Sequence, residues 1–189
     1  HATGPVFSRD GNWMAYRAGV HPDELEESDE PIRDRLGLVN LANSVDTVLF
    51  EVQRFAFRDD GIWLAARGYA PADTLGADLV IMNPSTGAQT LIGNVDEFVW
   101  QDKGELIAAT LRTSWGSSNS VVIFDPEAET LRTLDSRDAH YSALSWQDES
   151  AQLGVMRSME LEGREGDTHD VLLWEDVNSG LDPRVLAAL

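Results

Sequence analysis

Four segments of the chain line up on one another. They are Phe7-Ser-Arg-Asp-Gly-Asn-Trp-Met-Ala-Tyr16, Phe57-Arg-Asp-Asp-Gly-Ile-Trp-Leu-Ala-Ala66, Trp100-Gln-Asp-Lys-Gly-Glu-Leu-Ile-Ala-Ala109 and Trp146-Gln-Asp-Glu-Ser-Ala-Gln-Leu-Gly-Val155. An aromatic opens each segment. The fifth position is Gly11, Gly61, Gly104 and then Ser150, and the ninth is Ala15, Ala65, Ala108 and Gly154. A spacing of about 45 residues is the sequence form of a solenoid, a propeller or an array, so this repeat limits the fold more than any other feature.

Each segment reads as strand, tight turn, strand. The Asp/Gly pair supplies a turn with positive φ at the glycine. The run after it, such as Trp63-Leu-Ala-Ala66, is apolar on both faces, as a strand packed between two sheets must be. A second hairpin follows each time. Asp78 to Asn83 and Ala88 to Ile92 flank Pro84-Ser-Thr-Gly87, and Ser120 to Phe124 and Glu129 to Leu134 flank Asp125-Pro-Glu-Ala128. Leu36 to Leu41 with Val45 to Phe50, and Val171 to Trp174 with Arg184 to Ala188, do the same in the first and last units.

Four strands per unit at this period predict an all-β chain, a β-propeller segment of four blades with four antiparallel strands each. The blades run about 4–52, 53–94, 95–136 and 137–189, as one propeller segment. A β-sandwich of short strands also shows frequent turns, but it has no reason to repeat this aromatic, glycine and small-residue pattern. Within the repeat, Phe7, Gly11, Trp13, Phe57, Gly61, Trp63, Trp100, Gly104 and Trp146 read as structural positions, the aromatics packing between blades.

Composition excludes several function classes. With 33 Asp and Glu against 14 Lys and Arg the net charge is −19, which repels nucleic acid and anionic membrane surfaces. No apolar run approaches the ~20 residues of a membrane helix. No cysteine is present, so disulfides, thiolate zinc sites and a cysteine nucleophile are excluded. Lys103 is the single lysine. No signal peptide is visible, and a start at His1 reads as a processed or shortened product with a tag remnant.

Two acidic stretches interrupt the period. His21 to Arg35 lies between the second and third strands of the first unit, and Met159 to His169 lies at the matching place in the fourth. They are expected to be solvated charged loops, salt-sensitive and without the Asp-x-Asp-x-Asp-Gly spacing of a calcium loop. His21 and His169 flank them and are candidates for a binding site. His140 reads as a core or turn residue. No helical His pair suggests zinc, so no metal and no cofactor is expected. Trp115, in a Gly/Ser-rich loop outside the repeat, is the aromatic candidate for ligand or partner contact.

The Phe-Ser-x-Asp-Gly-x-Trp-hydrophobic-Ala unit resembles the blades of the prolyl oligopeptidase family and of TolB-like propellers. Val39-Asn-Leu-Ala42, Phe55-Ala-Phe57, Gly76-Ala-Asp-Leu-Val80, Ile92-Gly-Asn-Val95, Tyr141-Ser-Ala-Leu-Ser-Trp146 and Asp170-Val-Leu-Leu-Trp174 look like the N-terminal propeller of large bacterial secreted members. Lys103 and Ser150 depart from the usual Asp and Gly. The resemblance implies a seven- or eight-bladed ring that limits access to an α/β-hydrolase domain, and an extracytoplasmic location. The Gly-x-Ser-x-Gly nucleophile elbow such a hydrolase needs does not occur, the nearest string being Trp115-Gly-Ser-Ser-Asn119.

The expectation is therefore a non-catalytic segment that gates peptide substrates for a hydrolase domain this chain does not carry. A free-standing propeller that binds a protein, TolB-like or WD-like, is the alternative. A small enzyme with a metal site in the acidic loops is a weaker third. Peptide or protein partners and a homodimer, first blade against fourth, complete the reading.

Overall fold

The computed structural model describes residues 2–19, 33–114, 118–160 and 167–187. Among them every regular element is a strand. In chain order these are β1 (Ala2–Phe7), β2 (Trp13–Ala18), β3 (Arg35–Asn40), β4 (Val45–Glu51), β5 (Arg54–Phe57), β6 (Leu64–Arg67), β7 (Ala77–Met82) and β8 (Gln89–Trp100). They continue with β9 (Ile107–Leu111), β10 (Ser120–Asp125), β11 (Thr130–Ser136), β12 (His140–Trp146), β13 (Leu153–Glu160), β14 (Asp167–Trp174) and β15 (Arg184–Ala187). Among the described residues no helix is long and apolar enough to cross a membrane.

The chain forms two compact units, one of residues 1–70 and 78–92, the other of residues 71–77 and 93–189. In the first, β1-β2-β3-β4 make one antiparallel sheet, and β5, β6 and β7 follow with the start of β8. In the second, the end of β8 pairs with β9, and β10 and β11 follow; β12-β13-β14-β15 make a further sheet.

Hydrogen bonding groups the strands into three sheets, where the repeat predicted four. The difference lies in β8. Two strands were expected, one ending at Ile92 and one beginning near Val95. The chain instead runs on through Gly93 and Asn94, with Asn94 at φ +59° and a register shift between Val95 and Glu97. A bulge turns the strand without ending it.

The turns follow the predicted chemistry in the first two repeats, where Gly11 and Gly61 take φ of +73° and +81°. In the other two the left-handed residue stands one position earlier, at Lys103 (+50°) and Glu149 (+53°). Glycine is thus not what bends those turns. In the first two turns carboxylates complete the bend: Asp10 accepts the Asn12 N–H at 3.1 Å and Asp60 accepts the Ile62 N–H at 2.9 Å. Both carboxyls are partly desolvated, which opposes ionisation. Ser8 and Asn12 at Asp10, and Arg58 and the Ile62 amide at Asp60, outweigh this and hold both pKa values below the usual range.

Each unit has its own core. In the first, Ala15, Leu36 and Leu38 bury against Leu64, Ala66 and Met82, with Trp13, Phe55, Phe57 and Val80 beside them. In the second, Ala108, Val121 and Ile123 bury against Tyr141, Trp146, Leu153, Val155, Leu172 and Trp174. Ala15, Ala65 and Ala108 are fully buried, and a larger side chain at these positions would hold the packed strands apart.

Candidate functional site

Polar side chains gather at one edge of the second unit, where β9, β11 and β13 end and β10, β12 and β14 begin. The centre is Arg157 near the end of β13, only 5% exposed. Register places it opposite Tyr141 of β12 and Asp170 of β14. Its Nη1 donates to Asp135 at 3.1 Å and its Nη2 to Asp170 at 2.8 Å. Tyr141 donates its hydroxyl to the same Asp135 oxygen at 2.7 Å. Burial works against the Arg157 charge, but the bonds from the two carboxylates win and its pKa is raised. Burial first, and then the bond to anionic Asp135, push the Tyr141 phenol well above its ordinary value. Arg157 Nε is buried without a hydrogen-bond partner.

Nearer solvent, Asp96 lies 3.5 Å from Arg112 and 3.4 Å from His140 Nε2. Arg137 lies 3.6 Å from Asp135. Asn119, buried, accepts the Thr113 N–H at 2.8 Å and donates to the Ala139 carbonyl at 2.8 Å, so it clasps the start of one connection to the entry of β12. Ser114 donates to the Asp73 carbonyl at 3.1 Å. The edge thus presents half-exposed guanidinium and imidazole groups held in place by carboxylates. Such groups can donate hydrogen bonds to carbonyl or carboxylate oxygens. Serine–histidine–carboxylate machinery does not assemble among the described residues.

Of the sequence candidates, His169 is described. It is exposed on β14, and its Nδ1 lies 3.0 Å from Ser158 Oγ on β13, its register partner. This is a cross-strand neighbour contact. Trp115, His21 and most of both acidic stretches lie outside the described residues, as does His1. Among the described residues no group of three His, Asp or Glu could hold a metal ion.

The repeat aromatics divide. Trp63 and Trp146 are buried, Trp13 and Trp100 half-buried, and Phe7 exposed. Trp146 donates its indole N–H to the Val99 carbonyl at 3.2 Å, and Trp13 donates to Ser85 at 3.1 Å.

Sequence reading missed Arg157, Tyr141, Asp135, Asp170, Asp96 and Arg112. One signal was present. Arg157 stands twelfth in its repeat, where the others carry Ala18, Gly68 and Leu111. A lone charge at a position otherwise small or apolar marks either a buried ion pair or a site.

No family model matches the chain, and no curated protein matches it by sequence. Solved structures match its shape. The β-propeller domain of the Trilobed protease from Pyrococcus furiosus has a TM-score of 0.65 at 15% identity, over 98% of this chain and 57% of that one. Pyrococcus horikoshii acylaminoacyl peptidase gives 0.59 at 13% identity, over 100% of this chain and 32% of that one. TolB from Acinetobacter baumannii gives 0.52 at 15%, over 99% and 43%. The chain therefore spans about half of the first of these structures and about a third of the second. The matches include both groups that the repeat resembles, propeller-bearing peptidases and TolB, and also Kuenenia stuttgartiensis hydrazine synthase, at a TM-score of 0.58 and 11% identity. Likeness at this identity speaks to the fold, and the fold of this chain is that of a β-propeller.

Proposed function

We propose that the chain is the non-catalytic propeller segment of a prolyl oligopeptidase-like serine peptidase, and that it gates or selects peptide substrates. One combination carries this reading: a propeller fold shared with peptidases, in a chain without the nucleophile elbow. The polar edge of the second unit fits the role, because half-exposed Arg112 and His140 can hold peptide carbonyls while having no means to cleave them. A periplasmic or secreted location goes with this reading.

The likeness to TolB supports a second reading, a free-standing propeller that binds a protein and has no enzymatic role. The reading frame separates the two. A Gly-x-Ser-x-Gly segment a few hundred residues downstream supports gating. In that joined protein, loosening the propeller should speed cleavage of long peptides and leave dipeptide turnover unchanged. A stop codon directly after Leu189 selects the binding propeller.

A further inference from the structure

Guanidinium groups in this chain are commonly committed to an acceptor. Arg17 donates to the Gln53 carbonyl at 2.8 Å, Arg35 to the Leu49 carbonyl at 2.7 Å and Arg132 to the Val177 carbonyl at 3.1 Å. Arg157 and Arg184 donate to carboxylates. Two arginines at the polar edge of the second unit behave differently. Arg112 stands 3.5 Å from Asp96 and Arg137 3.6 Å from Asp135, and neither guanidinium donates a hydrogen bond among the described residues. A guanidinium carries a rigid fork of N–H donors, so both keep donors that no described protein group accepts.

The registers set these two arginines near each other. Leu111 of β9 and Ser136 of β11 both pair with Ser120 of β10, so Arg112, Asn119 and Arg137 stand on the next rung. The Arg112 N–H bonds the Asn94 carbonyl at 2.8 Å and the Arg137 N–H bonds the Asn119 carbonyl at 3.2 Å, which fixes both backbones at that level. Residues on one rung project to one face, and two strand spacings put the arginine Cα atoms about 10 Å apart. Both side chains lean toward the β12–β14 sheet. Asp96 links Arg112 to His140, and Asp135 links Arg137 to Arg157 and Tyr141. Asn119, buried between them, spends its amide on the Thr113 N–H and the Ala139 carbonyl. The side chains of Arg112, His140 and Arg137 are 35%, 39% and 59% exposed, so a ligand can reach all three.

The neighbouring carboxylates are largely engaged elsewhere. Asp135 accepts Tyr141 and Arg157 through Oδ2 and shows Arg137 only its other oxygen. Asp96 shares Oδ2 between Arg112 and His140. Asp170 holds Arg157. Two forks with donors to spare, facing one small space, match the planar oxygens of a carboxylate. The aspartates around them, and a net charge of −19, favour a single negative charge over the nearly double charge of a phosphate.

We propose, on the reading that this edge holds peptides, that Arg112 and Arg137 with His140 beside them bind one carboxylate of the peptide, its C-terminus or an Asp or Glu side chain. The edge would then select peptides by an acidic group as well as by size.

Calorimetric titration of the purified chain tests this. The probes are acetyl-trialanine with a free C-terminal carboxylate, the same peptide as its C-terminal amide, an acetylated and amidated alanyl-glutamyl-alanine, and inorganic phosphate. At least one of the two acidic peptides should bind about tenfold or more tightly than the neutral amide. Arg112→Gln or Arg137→Gln should remove that advantage, and Arg184→Gln should leave it unchanged. Thermal melts establish that each variant is folded, and the comparison of acid with amide on the unaltered chain needs no substitution. An advantage for the free C-terminus alone assigns a chain end, and one for the glutamyl peptide assigns an acidic side chain; either supports the proposal. Equal binding of the acids and the amide overturns it and leaves the peptide reading standing, whereas binding of no peptide at all overturns that reading too. Phosphate binding more tightly than both acids, or an advantage that survives both arginine substitutions, also overturns it.

Discussion

Arg157 is the residue on which the polar edge of the second unit depends. It is buried with two carboxylates, Asp135 and Asp170, so its removal leaves Asp170 without its counter-charge and Asp135 with only the more exposed Arg137. Arg157→Met should cost about 3 kcal/mol, the range for breaking a buried pair by deleting one partner. Adding Asp135→Asn and Asp170→Asn should recover most of that loss, as denaturant melts of the single and triple variants would reveal. Tyr141 makes a pH-dependent contribution whose sign is fixed. Its phenol titrates at a higher pH folded than unfolded, so the native state binds more protons above about pH 10. Its stabilisation is complete below that pH and fades as pH rises further. Tyr141→Phe should lower stability at pH 7 and flatten the alkaline limb of a Tm-versus-pH curve. Asp10 and Asp60 act in the opposite direction. Their folded pKa values are lowered, so their contribution is present above pH 4 and is lost as pH falls below it.

The turns and strands carry the next level. Gly11 and Gly61 occupy the same repeat position with similar φ, yet their surroundings differ. A Cβ on Gly11 meets nothing within 4 Å, whereas one on Gly61 would lie 2.8 Å from the Asp10 backbone nitrogen and 2.9 Å from that of Arg9. Gly11→Ala should therefore cost about 1 kcal/mol from the left-handed backbone alone. Gly61→Ala should cost about twice that, because the strain adds to a forced retreat of the neighbouring turn. Thermal melts of the two variants give the comparison.

The strand pattern was legible because side-chain period and turn residues are local. Ser120–Asp125, for example, sits where an apolar run between turn signals placed it. The continuity of β8 was not legible, since Gly-Asn reads as a break and the strand runs on through its pairing with β7 on one side and β9 on the other. The left-handed Lys103 and Glu149 escaped for a similar reason. The signal for that backbone is glycine, and here the glycine or serine stands one position later, at Gly104 and Ser150. The polar edge was least legible. Asp135, Tyr141, Arg157 and Asp170 lie on four strands, and only the registers of β12, β13 and β14 bring them together.

At the scale of the whole molecule the net charge of −19 makes the chain repel itself, and salt screens that repulsion. The melting temperature should therefore rise as ionic strength goes from about 0.05 M to about 0.5 M, which calorimetry would measure. A fall with salt would mean that ion pairs such as Arg157 with Asp135 and Asp170 dominate.

On the proposed reading these propeller repeats bind and position a ligand without performing acyl chemistry. Mass spectrometry of the intact chain after exposure to a fluorophosphonate, which phosphonylates any activated serine, tests it most directly. An unmodified mass is expected, with Ser158 beside His169 no more reactive than a free hydroxyl. Stoichiometric labelling of one serine, abolished by heat unfolding, would contradict it.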